Sequence, residues 1–388
     1  MIKYFRIKKS ITRKNKLELI EKYKRKRIIY LIACIIFLLL YPFSNLLNYS
    51  FNLMPNTYLK DYELAIHILD TGQGSATIIN LKNEYTIMYD TGLSTYGDKI
   101  IKYIREIVPL KDNKIDTLIL SHVDSDHTGN ASRILQEFNP SNIYLPNMEE
   151  YFDLAATHAN YVEFYNKAIN STSNIEYNYE GELIKFKDLS LTWISPNREY
   201  YSNTNNYSPI IKLDYKNYSM LLTGDSGHNI GVDDGINIER EALLYAEINN
   251  IDLDVDTLIA GHHGSKYSTS LDLLNSTTPN EILISVGNNS YGQPSNELKE
   301  NIVKYDDINN KDLFNNIHTT LDENNIIVLV DSKDYKLTNL QDIENYLFVP
   351  FALINTIILI PLIIIEIDSI MICILLNKHS FDKNIEEV

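Results

Sequence analysis

The chain has 388 residues, 44% of them apolar, with Lys+Arg 35 against Asp+Glu 51 and a net charge of −16. These totals exclude a small disulfide scaffold, a collagen-like repeat and a wholly disordered chain, and two cysteines exclude a cysteine-built metal site. The charge is unevenly placed: residues 1–27 carry 12 Lys/Arg and 2 Asp/Glu, whereas residues 28–345 carry 21 and 44.

The first element is the basic tail, 1–27. Residues 28–47 come next, uncharged and long enough for one transmembrane helix. Lys22, Lys24, Arg25, Lys26 and Arg27 abut its start. The positive-inside rule then places the N-terminus in the cytoplasm and the residues after about 48 outside it. A cleaved signal peptide is the competing reading, against which stand the long basic leader and the lack of a small-residue cleavage site. A second apolar segment, 346–376, closes the chain. Its uncharged stretch 347–365 is a second expected span, kinked by Pro350 and Pro361, while Glu366 and Asp368 make 367–376 interfacial. The lipid bilayer is thus an expected partner.

Between these ends, short β-type runs recur at 65–69, 76–81, 85–89, 117–121, 191–194, 210–215, 219–223, 257–260, 281–286 and 326–331. Helical patterns intervene near 97–107, 128–138, 151–170, 239–249 and 295–305. This order argues for one α/β domain over 62–332 rather than a sandwich of strands alone.

Metal-type side chains gather where three of these strands end. After the strand ending at Ser121 come His122, Asp124, Asp126 and His127, then a helix. A loop can curl so that these alternate side chains converge, which neither a strand nor a helix allows at this spacing. Imidazole and carboxylate suit zinc, and also manganese or iron. Two histidines and two aspartates are too many for one ion and suggest two adjacent metals. An EF-hand is excluded, because position 12 counted from Asp124 is Leu135. A second strand ends in Thr223-Gly224-Asp225, whose carboxylate could bridge two ions, and a third in Gly261-His262-His263-Gly264. In open α/β folds, sites gather at the carboxyl ends of strands.

HVDSDH at 122–127, TGD at 223–225 and HHGS at 262–265, in that order, resemble the metallo-β-lactamase fold superfamily in its ComEC-type competence-protein variant, which has His-x-Asp-x-Asp-His. Asp70-Thr-Gly-Gln-Gly-Ser75, Asp90-Thr-Gly92, Asn206-Tyr-Ser208 and the segment 285–292 match further motifs of that variant. The resemblance covers about 62–332. It implies a four-layer αββα sandwich with two divalent ions, zinc or alternatively manganese. One ion would take His122 and Asp124; the other would take Asp126, His127 and one of the paired histidines, His262 being favoured and His263 left either to support the ligands from behind or to donate a proton. Asp225 would bridge. Asp126 and His263 are therefore the expected catalytic residues, and Asp70, Asp90, Asn206 and Ser208 orient the ligands from behind. The resemblance implies a hydrolase in which a metal-activated hydroxide attacks a phosphodiester, DNA being one candidate, and the apolar ends make it membrane-anchored.

Three departures from the family pattern stand out. The superfamily's third-motif histidine is missing, Ser75 replaces an aspartate, and Gln293 replaces a histidine that could protonate a leaving group. They motivate the alternative of a non-catalytic accessory module of a competence or cell-surface complex. The acidic excess of 28–345 opposes sequence-independent DNA binding, which normally needs a basic surface.

Overall fold

A strand covered on both faces reads as an unbroken apolar run, and the central strands of this chain are of that kind. The computed structural model describes residues 62–148, 155–197, 200–228 and 236–339, together with Glu18, Glu21, Arg25 and Ile28. The expected basic tail apart from Glu18, Glu21 and Arg25, the second apolar segment 346–376 and all of 28–47 but Ile28 lie outside the described residues. Among the described residues no helix is long and apolar enough to cross a membrane.

One sheet comprises β1 (Leu64–Ile68), β2 (Thr77–Leu81), β3 (Tyr85–Tyr89), β4 (Thr117–Ile119), β5 (Asn142–Leu145), β6 (Asn174–Tyr177), β14 (Ile326–Val330) and β15 (Tyr335–Asn339). The other comprises β7 (Leu183–Phe186), β8 (Leu189–Trp193), β9 (Ile211–Tyr215), β10 (Tyr218–Leu222), β11 (Thr257–Ile259), β12 (Glu281–Ile284) and β13 (Ile317–Thr319). Their orders are β15-β14-β1-β2-β3-β4-β5-β6 and β13-β12-β11-β10-β9-β8-β7.

Side-chain alternation shows how the layers stack. Ile66, Ile79, Ile87, Ile119, Leu191, Leu213, Met220, Leu222, Ile259 and Leu283 belong to a core shared by the two sheets, with Trp193 fully buried among them. Their strand neighbours Ile78, Met88, Leu118, Leu221, Leu258 and Ile282 belong to the core that the helices cover. α1 (Gly97–Ile107) and α3 (Ala131–Phe138), the latter after the single turn α2 (Ser125–Thr128), present Ile100, Ile104, Ile134 and Phe138. α4 (Ala159–Ala168) adds Phe164. α5 (Ile238–Asn249), α6 (Leu271–Thr277) and α7 (Asn296–Asn309) present Ala242, Leu273 and Ile302, and the short α8 (Thr320–Glu323) follows β13. Asn237, Ser270 and Ser295 cap α5, α6 and α7, each side-chain oxygen accepting from a backbone N–H of the first turn. The result is a mixed α/β sandwich of two sheets between helices.

Several elements differ from the sequence pattern. All four edge strands, β6, β7, β13 and β15, and also β5, escape it, as does α6. Edge strands lack the double burial that makes an apolar run, and β7 alternates exposed and buried positions over only four residues. The helix expected over 151–170 is α4, Ala159–Ala168, and 151–154 lie outside the described residues.

Candidate metal centre

β3 pairs parallel to β4, and β10, β11 and β12 pair parallel to one another. Their carboxyl ends carry Asp90 after β3, Ser121–His127 after β4, Asp225 after β10, the paired histidines after β11 and Ser285 after β12. Two glycines let these loops close on one another. A Cβ on Gly74 would lie 2.5 Å from the carbonyl oxygen of Asp126, so only glycine lets the 70–75 loop press against the ligand loop. Gly224 has φ +51°, and a Cβ there would meet Tyr89 Oη at 2.8 Å and Ser208 Cβ at 2.9 Å. That turn swings Asp225 inward.

Two clusters result. His122, His127 and Asp225 form one, and Asp126, His127 and His263 the other; in each, one ligand atom from every residue lies within 4.8 Å of the others. Asp225 joins them. Its Oδ1 is 3.1 Å from His127 Nε2, and its Oδ2 is 3.9 Å from His122 Nε2 and 3.8 Å from His263 Nε2. His263 Nε2 lies 3.4 Å from Asp126 Oδ2 and 3.4 Å from His127 Nε2.

The paired histidines differ from the expectation that favoured His262 as ligand. His262 and His263 both adopt left-handed backbone, φ +48° and +56°. For side chains with a Cβ this costs roughly 1–3 kcal/mol each and recurs at functional sites. It sends the two rings apart. His263 is buried in the Asp126–His127 cluster, whereas His262 is one-third exposed and stands 3.6 Å from Asp225 Oδ2 at the rim.

The outer nitrogens of the three buried rings are all occupied. Asp90, fully buried, accepts from Ser121 N and Ser121 Oγ at 2.7 Å each and from His127 Nδ1 at 2.7 Å. His263 Nδ1 donates to the Ser285 carbonyl at 2.7 Å. A carboxylate and a carbonyl can only accept, so both Nδ1 atoms carry hydrogen and both Nε2 atoms can offer a lone pair inward. His122 Nδ1 lies 3.0 Å from Ser121 Oγ and 3.2 Å from Ser208 Oγ, and its Nε2 is buried with no hydrogen-bond partner. An orphaned inward nitrogen beside carboxylates is the environment a divalent cation satisfies. The donor set, imidazole and carboxylate oxygen, fits zinc or manganese.

Charge balance obeys the same geometry. Burial and neighbouring His127 hold the His122 imidazole below its ordinary pKa, which keeps it neutral. Burial opposes charge on His127, yet the Asp225, Asp90 and Asp126 carboxylates outweigh it and hold that imidazole well above its usual value, so an ion taking the Nε2 position would displace a proton there. Burial would raise the Asp225 carboxyl, but His127, His262 and His263 hold it well below the carboxylate range.

The remaining expected residues take different places. Asp124 is on the open side, its Oδ2 3.8 Å from His122 Nε2. Ser208 Oγ accepts from Asp225 N at 3.1 Å, tying Asp225 to His122. Asn206 is buried in the turn Thr204–Tyr207 just before it. Asp70 is paired with Lys99 at 2.7 Å and accepts from Gly72 N at 3.1 Å, so it braces the 70–75 loop, whose Ser75 N donates to the Asp126 carbonyl. Gln293 donates to the His262 carbonyl at 3.0 Å and accepts from Gln73 at 2.6 Å; here it holds the strained histidine turn. Sequence reasoning gave no role to Ser121, Ser285 or His158. The first two are backbone-anchored strand-end serines, and His158 sits at the entry to α4 without any motif around it.

The model of the metallo-beta-lactamase superfamily matches residues 69–277. The chain is 31% identical over 244 residues to Recombination protein 2 of Haemophilus influenzae, covering 62% of this chain and 26% of the relative. It is 26% identical over 254 residues to ComE operon protein 3 of Bacillus subtilis, covering 60% and 30%. The chain thus spans between a quarter and a third of the length of these relatives. The solved metallo-beta-lactamase fold protein YhfI from Bacillus subtilis aligns over 68% of this chain and 98% of its own, at 11% identity and a TM-score of 0.43. A family match over more than half of the chain, falling on the strands whose ends carry both histidine–aspartate clusters, means that the chain belongs to the metallo-beta-lactamase superfamily.

Proposed function

We propose that the chain is a metal-dependent hydrolase of phosphodiesters, anchored in the membrane by 28–47 and 346–376, with its N-terminus in the cytoplasm and its site outside. The observation that carries the hydrolase reading is the convergence of three buried Nε2 atoms on Asp225, with each Nδ1 tied up behind. Asp126, His127 and His263 would hold one divalent ion, His122 and Asp124 the other, and Asp225 would lie between. Such ions supply Lewis acidity toward a phosphoryl oxygen and lower the pKa of water toward neutrality.

The chain's own residues supply the rest. Asp90, Ser121 and Ser285 fix the ring orientations. His262, partly exposed and beside Asp225, is the group placed to pass a proton to a leaving oxygen; His263 is the ligand in its stead. An open cleft of about 330 Å³, lined by Asp124, Ser125, Asp126, Thr157, His158 and Asn160, gives the scissile group room beside the clusters. The names of the relatives, a recombination protein and a competence-operon protein, make DNA one substrate to test. The acidic excess of the domain favours a smaller phosphodiester or a phosphodiester-linked wall polymer as the other.

The test is metal analysis of the purified chain, then turnover of bis-p-nitrophenyl phosphate, DNA and a wall-polymer phosphodiester with zinc or manganese. Bound metal and cleavage that Asp126→Ala abolishes are expected. Absence of both bound metal and cleavage with either ion refutes the reading. Bound metal without turnover on any of them favours the accessory-module alternative.

A further inference from the structure

Asp124 is the more exposed of the two acidic residues in the ligand loop, its side chain 36% accessible against 29% for Asp126. A carboxylate so exposed keeps its rotameric freedom unless something holds it, and that freedom has to be given up on binding an ion. Two residues outside the ligand motifs hold it. His158 Nε2 lies 3.1 Å from Asp124 Oδ1, and Thr204 Oγ1 donates to the same oxygen at 3.1 Å. His158 comes from the entry to α4 and Thr204 from the turn before Ser208, so segments far apart in sequence converge on one atom. The other oxygen, Oδ2, is left facing His122 Nε2.

The chemistry fixes which way the imidazole works. A carboxylate oxygen only accepts, so His158 Nε2 must carry hydrogen, and a protonated nitrogen has no lone pair for a metal. Its Nδ1 is 3.1 Å from Thr157 Oγ1, a hydroxyl that can donate to it. The ring is thus held at one nitrogen and donates at the other.

We propose that His158 is a positioning residue for Asp124: by holding Oδ1, it presents Oδ2 beside His122 and makes the first ion's position competent. The proposal rests on the two-ion reading given above.

The test uses the full chain, zinc-loaded and then dialysed, with zinc per chain measured by mass spectrometry and affinities by competition with a chromogenic chelator. The wild type should retain two ions. His158→Ala should keep one ion at wild-type affinity and bind the other about 10–100-fold more weakly, as loss of a ligand-orienting partner typically does. His158→Gln, whose amide N–H can reach the same oxygen, should recover most of that affinity. Thr204→Val, which removes the other donor, should weaken the same ion and supplies the test if His158→Ala fails to fold. Wild-type affinity for both ions in His158→Ala and Thr204→Val overturns the proposal. So does a His158→Gln chain as defective as His158→Ala, which would make the ring a ligand and not a donor. A wild type that takes up a single ion refutes the two-ion reading itself, and that outcome is distinguishable from the others.

Discussion

Asp90→Asn tests the logic of the centre with a single atom exchanged. The carboxylate accepts three hydrogen bonds of 2.7 Å from Ser121 N, Ser121 Oγ and His127 Nδ1. Asparagine keeps the oxygen that faces Ser121 N. It places an amide N–H₂ where the other oxygen was, opposite two groups that donate. Ser121 Oγ can rotate its hydrogen away, but His127 can comply only by moving its own to Nε2, which then points a hydrogen at Asp225 and the ion's position. The lost charge-assisted bond is worth about 1.5–3 kcal/mol. At about 1.4 kcal/mol per decade that is a 10–100-fold loss of metal affinity. Chelator competition on the purified variant measures it, with thermal unfolding run alongside to show that the chain folds. A folded Asp90→Asn chain that binds both ions as tightly as wild type refutes the claim that Asp90 sets the His127 tautomer.

Other outcomes rest on the same geometry. His263→Ala should lose an ion, whereas His262→Ala should keep both and turn over more slowly; metal content per chain decides, and the reverse result would restore His262 as the ligand. His67, fully buried in β1 against Tyr103, has its pKa pushed down by burial to about 3. The unfolded imidazole titrates near 6.5, so this group's contribution to stability is full above about pH 6.5. It is lost as pH falls toward 3, by roughly 5 kcal/mol at most. A His67→Leu/Tyr103→Phe chain should therefore lose less stability than wild type between pH 7 and pH 4 in urea melts, and equal losses would show that His67 is not the cause. Gly224→Ala places a Cβ against Tyr89 and Ser208 at positive φ and should destabilise the fold by more than about 1 kcal/mol. A circular-dichroism melt superimposable on wild type would contradict that.

The central strands were legible because burial on both faces wrote them as apolar runs: β3, β4, β10, β11 and β12 all stand where the residues suggest. The metal-type positions were legible because they sit at those strands' ends. The edges were not, since Asn174–Tyr177 and Leu183–Phe186 are short and carry half-exposed polar side chains that resemble loops. The paired histidines were not either. Identical side chains at adjacent positions differ here only through two left-handed backbone conformations, and no side-chain pattern encodes those. His158 was hidden for a further reason: its partner Asp124 lies 34 residues upstream, and only the packing of α4 beside the ligand loop brings them together.

Each ligand cluster draws on both sheets. His122 follows β4 and Asp126 and His127 stand in the turn α2 just after it, while Asp225 and His263 come after β10 and β11. Neither cluster exists until the two layers have closed on their shared core. An ion held there is thus a clasp across the sandwich, and its binding free energy is added to the free energy of folding. With free ion at 100 times its dissociation constant, the gain is about 2.7 kcal/mol per site, a sizeable share of a typical domain's stability. Metal supply would then govern how long the folded chain survives.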